Sequence, residues 1–244
     1  MLVMLKLFME SLKGKKVLLI GATGGIGFAA ARLLSGSQAQ LFLTGRNEEK
    51  LSNVAAQLPG VETYQLDIES PEEIEKMGIF YLNKHGVPDI LINAAGIGII
   101  RPVEQLTITD FTHSLQTNLV SVFALLKSFL PAMKEVKRGL IINIPGVLGK
   151  VPMAGAAAYS ASKYGLIGMM QSVREEIKRT DIRITNLILG GVDSPFWDNI
   201  DLRVQKEKMI RSEEAAKAIW FLCQQPASGV VSEMVLQPFN HQAV

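Results

Sequence analysis

Val17-Leu18-Leu19-Ile20-Gly21-Ala22-Thr23-Gly24-Gly25-Ile26-Gly27 is the stretch from which the fold is read. Its four opening apolar residues read as a strand buried on both faces, as continuous apolar runs do in parallel sheets. The strand ends at glycines, and Gly25 to Leu34 reads as a helix. The glycine spacing is Gly-x-x-x-Gly-x-Gly rather than the standard Gly-x-Gly-x-x-Gly, but the physics is similar. Gly21 permits a tight turn, Gly25 lets backbone approach a pyrophosphate, and Gly27 allows the helix to pack closely. The N–H groups at the helix start face the anion. A purely structural strand–helix turn is the alternative reading of the same glycines.

The rest of the chain repeats the pattern. Strands are expected at Gln40–Thr44, Thr63–Leu66, Asp89–Asn93, Leu140–Ile144, Ile182–Leu189 and around Met234–Leu236. Helices are expected after Asn47, with Glu48 and Glu49 in the first turn, and after Ser70-Pro71-Glu72-Glu73. Two longer ones run from Phe111 to Leu130, stopped near Pro131, and from the Tyr159 region to about Arg179. Ser212-Glu213-Glu214 caps a late helix. The predicted architecture is a single doubly wound α/β domain, residues 15–244, with a seven-stranded parallel sheet and helices on both faces. Residues 1–14 form an N-terminal extension. Pro145–Ala158 and Ser194–Arg211 are looser, follow strands, and can line the cleft beyond the strand ends.

Composition narrows the function classes. The chain has 244 residues with a formal net charge of +2, from 25 basic and 23 acidic residues. That excess supplies no field for nucleic acid or an anionic membrane. Cys223 is the single cysteine, so no intrachain disulfide forms, and a reducing cytoplasm is expected. Cys223, His85, His113 and His241 have no metal-site spacing. The apolar start, Met1 to Met9, is interrupted by Lys6 and too short to span a bilayer.

Tyr159 and Lys163 are four residues apart, so on a helix they share a face. A cation near a phenol lowers its pKa and makes it a usable general acid. By itself the spacing also fits a half-buried ring beside a solvated amine. At the end of the second strand, Thr44-Gly45-Arg46-Asn47 has no acid to accept from a ribose 2′-hydroxyl. Gly45 leaves room there, and Arg46 offers a planar cation suited to a 2′-phosphate. A solvated arginine before a helix is the alternative.

In order and spacing, Gly21-x-x-x-Gly25-Ile26-Gly27, Asn93-Ala94-Ala95-Gly96, Asn118 and Tyr159-x-x-x-Lys163 resemble the short-chain dehydrogenase/reductase family. The resemblance runs from about Lys15 to Phe239. It implies hydride transfer between NAD(P) and a small carbonyl or alcohol. It makes Tyr159 the general acid/base and Lys163 its helper and ribose ligand, with Asn118 anchoring a relay water. It assigns cofactor contacts to Gly21, Thr23, Gly24, Gly25, Ile26 and Gly27. Further contacts fall to Arg46, Asp67, Asn93, Ala94, Gly96, Tyr159, Lys163, Val192 and Ser194. Asp67 would lie near the adenine, or partner a helix N-cap. Ala94 replaces the family's second Asn, and Leu189 its Pro. Ser194 keeps a hydroxyl where Thr is usual, or is simply a turn residue before Pro195. With Arg46, NADP(H) is expected over NAD(H), and family habit implies a homodimer or homotetramer through the two long helices.

One departure limits the resemblance. The family's catalytic serine, 13 positions before the tyrosine, falls on Gly146 in Asn143-Ile144-Pro145-Gly146. No Ser or Thr occurs between Gly139 and Tyr159 to replace it. Two outcomes stay open: an oxidoreductase with an altered substrate-orienting site, or a nucleotide-binding protein with little turnover.

Overall fold

A computed structural model describes residues 9–241 and Val244. The sheet is built from β1 (Lys16–Ile20), β2 (Gln40–Gly45), β3 (Glu62–Gln65), β4 (Ile90–Asn93), β5 (Arg138–Asn143), β6 (Asp181–Leu189) and β9 (Glu233–Leu236). The order is β3-β2-β1-β4-β5-β6-β9, and every neighbouring pair is parallel. A separate ribbon pairs β7 (Val192–Asp193) with β8 (Ile210–Arg211).

Successive residues of the central strands feed two cores, which is why their apolar runs are unbroken. Val17 and Leu19 join one cluster with α1 (Gly25–Ser35), α2 (Glu48–Gln57) and α7 (Ser212–Cys223). Leu18 and Ile20 join the other with α3 (Pro71–His85), α5 (Ser121–Val136) and α6 (Ala157–Ile177). The edge strands β3 and β9 are only partly buried.

Local signals hold at most ends. The Asn47 side chain accepts from the Lys50 N–H at 2.8 Å, and Ser70 from that of Glu73 at 3.2 Å. The late helix starts differently: Arg211 is its N-cap and Ser212 its first residue, with Glu214 closing back on Arg211. The long helix expected to stop near Pro131 also departs. It begins as α4 (Ile108–Leu115), passes through a π-helical turn at Gln116–Val120, and continues as α5 with Pro131 inside it. It ends at Lys137, in the left-handed region at φ 55°. Proline here is tolerated because the helix packs a full apolar face, including Phe129, Leu130 and Met133, against the sheet. The N-terminal extension is expected over residues 1–14, of which 1–8 lie outside the described residues. Leu12 is buried in the core, and the Glu10 N–H donates to the Gln224 carbonyl at 3.2 Å.

The strand order reverses between β1, whose neighbours are β2 and β4, and the β4-β5-β6 side. In open parallel sheets ligands bind outside the carboxyl ends at this point. Gly21 follows β1 there, and Ala94 to Gly96 follow β4.

Candidate active site

Two cavities lie end to end over that switch point. The larger, of about 460 Å³, is lined by Gly146, Tyr159, Ser194, Phe196, Trp197 and Met209 among others. The smaller, of about 200 Å³, is lined by Thr23, Arg46, Asp67, Glu69 and Thr117. Gly24, Ala94 and Gly96 line both.

The glycines of the loop are required by contact. A Cβ built on Gly21 would lie 2.8 Å from the Ala95 backbone nitrogen, and Gly21 has φ +83°. On Gly27 a Cβ would run into the Gly21 carbonyl, so this glycine sets the close helix–strand packing. At Gly25 the close partners are Ser194 and Pro195, at 2.8 and 3.0 Å from such a Cβ. The segment after β6 is therefore seated on the glycine turn. Gly45 does not simply leave room: a Cβ there would lie 2.7 Å from the Thr23 methyl, which occupies the space.

Asn118 sits in the π turn and is 1% exposed. Its amide donates to the Ile97 carbonyl at 2.9 Å and to Ser162 Oγ at 3.0 Å, while its oxygen accepts from the Ile97 N–H at 2.9 Å. Ser162 in turn donates to the Tyr159 carbonyl at 2.7 Å. These bonds tie the loop after β4 to the first turn of α6. Asn93 accepts from the Ala95 N–H at 3.2 Å. A Cβ on Gly96 would meet Asn118 Oδ1 at 3.0 Å and Lys163 Nζ at 3.3 Å.

Tyr159 and Lys163 share one face of α6, with Lys163 Nζ 5.5 Å from the phenol ring centre and 3.4 Å from the Ile144 carbonyl. The ammonium is not seated on the hydroxyl. Burial dominates both groups: it pushes the Tyr159 phenol up and brings Lys163 down to about 8. The Tyr159 phenol is thus not lowered by its cation. Phe196 packs on Tyr159 with ring centres 5.8 Å apart, and the same ring fills the space beside Gly98.

Gly146 stands opposite. A Cβ on it would lie 3.3 Å from the Tyr159 hydroxyl. Its backbone, at φ 78° and ψ 161°, occupies a region open essentially to glycine alone. Ser194 donates to the Val192 carbonyl at 3.4 Å, which also accepts from the Trp197 indole at 2.9 Å. Asp67 accepts from the Glu69 N–H at 3.0 Å, forming an Asx turn at the smaller cavity.

Arg46 is mostly exposed, and its guanidinium reaches Glu69 at 3.6 Å. Glu69 escaped the sequence reading, as did Ser162 and the Pro238, Asn240 and His241 lining of the larger cavity. Glu69 carries no motif. Its position is set by Thr117 and Gln116, which a π turn brings round to it.

The cleft, its glycine loop and a Tyr/Lys pair on one helix face define a nucleotide-dependent oxidoreductase of the doubly wound class. A model of the family described as short chain dehydrogenase matches residues 15–205, and the chain belongs to that family. It is 31% identical over 241 residues to a putative ketoacyl reductase of granaticin polyketide synthase from Streptomyces violaceoruber, covering 88% of this chain and 89% of the relative. It superposes on a metagenomic short-chain oxidoreductase solved in complex with NADP, with a TM-score of 0.82 at 32% identity. That match covers 95% of this chain and 100% of the other. It also matches an actinorhodin polyketide ketoreductase solved with NADPH, with a TM-score of 0.83 at 27% identity, over 92% and 96% of the two chains. Among the described residues no helix is long and apolar enough to cross a membrane.

Proposed function

We propose that the chain is an NADP(H)-dependent reductase or dehydrogenase whose small carbonyl or alcohol substrate occupies the larger cavity. The observation that carries this is the placement of Tyr159 in the lining of the larger cavity, with the buried Lys163 Nζ behind Gly96, one of the residues the two cavities share. The cradle fits a dinucleotide: Gly21, Thr23, Gly24, Gly25, Ile26 and Gly27 would hold its pyrophosphate, with Asp67, Asn93, Ala94 and Gly96 along its length. Val192 and Ser194 would meet the nicotinamide end. The neighbours solved with NADP and NADPH support this reading.

A bound nicotinamide supplies or accepts the hydride at the carbonyl carbon. In the reducing direction Tyr159 donates its proton to the carbonyl oxygen. A phenol raised by burial stays protonated across the neutral range and is ready to donate. Lys163, brought to about 8, exchanges protons near neutrality and would contact the ribose. Asn118 fixes the turn that carries both, through Ser162 and Ile97.

Gly146 takes the place of the family's substrate-orienting serine. Losing one preorganised donor costs on the order of 10²–10³ in rate. The glycine-only backbone at Gly146 is the observation favouring the second reading, a nucleotide-binding protein with little turnover, because the loop is not merely short of a hydroxyl but shaped without a side chain.

NADPH oxidation over a panel of aldehydes and ketones, with Tyr159→Phe as the control, separates the two. Turnover abolished by Tyr159→Phe supports the enzyme; cofactor binding without turnover on any substrate supports the second reading. For the cofactor, titration with both reduced forms is the test, and NADH binding as tightly as NADPH overturns the preference assigned to Arg46. We further propose one unit over residues 15–244, a cytoplasmic location, and a homodimer or homotetramer. Phe111, Val120, Phe123 and Tyr164 leave an apolar surface on α4 to α6, and a lone 26.7-kDa species in solution would argue against assembly.

A further inference from the structure

Three donors converge on one oxygen of Glu69. Thr117 Oγ1 donates to Oε1 at 3.0 Å, His113 Nε2 stands 2.9 Å from it, and Arg46 Nη1 lies 3.6 Å away. The Glu69 carbonyl is held separately by the Gln116 amide at 2.9 Å. Glu69 is therefore anchored from the helix side by His113 of α4 and by Gln116 and Thr117 of the π turn that follows it, whereas Arg46 reaches it from the end of β2. Both Arg46 and Glu69 line the smaller cavity, 3.6 Å apart. The two ends of that contact differ in freedom: the Arg46 side chain is 70% exposed and the Glu69 side chain 26%. The arginine is the partner that can leave.

We infer that Glu69 is a specificity-determining residue for the cofactor's adenosine end, because its carboxylate competes with a 2′-phosphate for Arg46. The inference rests on the reading of this cleft as an NADP(H) site. A 2′-phosphate draws Arg46 off Glu69 through a charge-assisted, bidentate contact. It does so against the pull of the carboxylate, and it then sits near a fixed like charge that Thr117 and His113 keep in place. A cofactor with a bare 2′-hydroxyl gives Arg46 no stronger partner and meets no such repulsion. Glu69 thus narrows the preference for phosphorylated cofactor that Arg46 creates. The remaining charged groups close by are Asp67 on the same turn and Glu73, whose carboxylate accepts from the Asp67 N–H at 2.9 Å. Both are acidic, and the other basic group against Glu69 among the described residues is the His113 imidazole on its helix side.

The test is binding rather than turnover. NADPH and NADH are titrated by fluorescence against the wild-type protein, Glu69→Gln, Arg46→Gln and the double variant. Adenosine 2′,5′-bisphosphate and adenosine 5′-monophosphate are titrated as probes of the adenosine end alone. Glu69→Gln should raise the NADPH-over-NADH affinity ratio about two- to fivefold, the range for an exposed charge pair. The same rise should appear with the two adenosine probes, and it should shrink in the Arg46→Gln background. Glu69→Asp keeps the charge but draws the carboxylate back from Arg46 and from its helix partners alike, since Arg46, His113 and Thr117 all meet the same oxygen. It should shift the ratio in the same direction by less, and it serves if Glu69→Gln is unstable. A purely structural Glu69 would lower melting temperature and weaken both cofactors together, leaving the ratio unchanged. If the wild-type protein favours NADPH and Arg46→Gln removes that preference while neither Glu69 variant alters it, the inference fails and the cofactor reading stands. If the wild-type protein shows no preference for NADPH, both fall.

Discussion

The Tyr159 hydroxyl and the α-carbon of Gly146 face each other so closely that a Cβ on the glycine would stand 3.3 Å from the phenol oxygen. A side chain there would press on the phenol oxygen unless the tyrosine gives by a few tenths of an ångström, and the backbone that would carry it is turned to φ 78° and ψ 161°. Placing a serine there must first overcome that conformation. Gly146→Ala and Gly146→Ser should each cost about 1–3 kcal/mol. That corresponds to a melting temperature lower by roughly 2–12 °C for a chain of this size. Calorimetry on both variants checks it. If the lost donor also limits turnover, only the serine variant gains activity at temperatures where both remain folded. Equal stability of the three proteins would mean the loop relaxes freely and the strain is not there.

Phe196 covers Tyr159 and fills the space beside Gly98. Burial raises the phenol, so uncovering it should bring its titration down. Phe196→Ala is expected to move the phenolate transition seen in ultraviolet titration to lower pH, and with it the alkaline limb of the rate profile in the reducing direction. It should also raise KM by widening the cavity. A titration unmoved by Phe196→Ala would assign the burial of Tyr159 to other neighbours.

Lys163 gives a stability signature with a definite sign. Burial lowers it from the ordinary 10.5 to about 8, so between those values the unfolded chain binds the proton that the folded one has released. Stability from this group therefore rises as pH climbs above about 8, and below it the fold carries the cost of a buried charge. Lys163→Met removes that cost. Its stability gain over wild type should be largest at pH 7 and smaller by about 1 kcal/mol at pH 9. Cys223, pushed up to about 12 by burial, titrates in both proteins and cancels in the difference. Urea unfolding of the pair at three pH values reads the effect. A difference that grows with pH would contradict the sign.

Asn118→Ala orphans the Ile97 N–H and carbonyl and removes a donor from Ser162. Buried groups left without partners cost about 1–3 kcal/mol each, and a total loss near 3 kcal/mol is expected. Hydrogen exchange should show the Ile97 amide losing protection before the strands do. A variant with wild-type stability would mean that Asn118 matters for chemistry alone.

The fold was legible because the strands are buried on both faces: runs such as Leu91-Ile92 and Ile141-Ile142 could not belong to a half-exposed sheet. The glycine turn after β1 was legible because glycine is the only residue its contacts allow at Gly21 and Gly27. Three features were not. Pro131 signals a stop in sequence, yet tertiary packing carried the helix past it. The π turn has no sequence signature, so neither the saturation of Asn118 nor the reach of Thr117 to Glu69 could be foreseen. The protonation of Tyr159 and Lys163 depends on how much protein surrounds them, which a four-residue spacing does not report. Their spacing predicted a shared face, and the face is shared.

The π turn at Gln116–Val120 has one further consequence. Its closing bond runs from the Ser121 N–H to the Gln116 carbonyl, so the helix holds one residue more than a regular turn would need. Deleting a single residue there would yield the better helix and the worse protein. It would rotate Gln116, Thr117 and Asn118 by about 100° relative to α5, against which the sheet is packed. Glu69 and Ile97 would lose their partners in the same event. The ties from this helix to Glu69 and to the loop after β4 thus depend on a single surplus residue, and an insertion–deletion scan of α4 and α5 should find its least tolerant point there rather than at the proline.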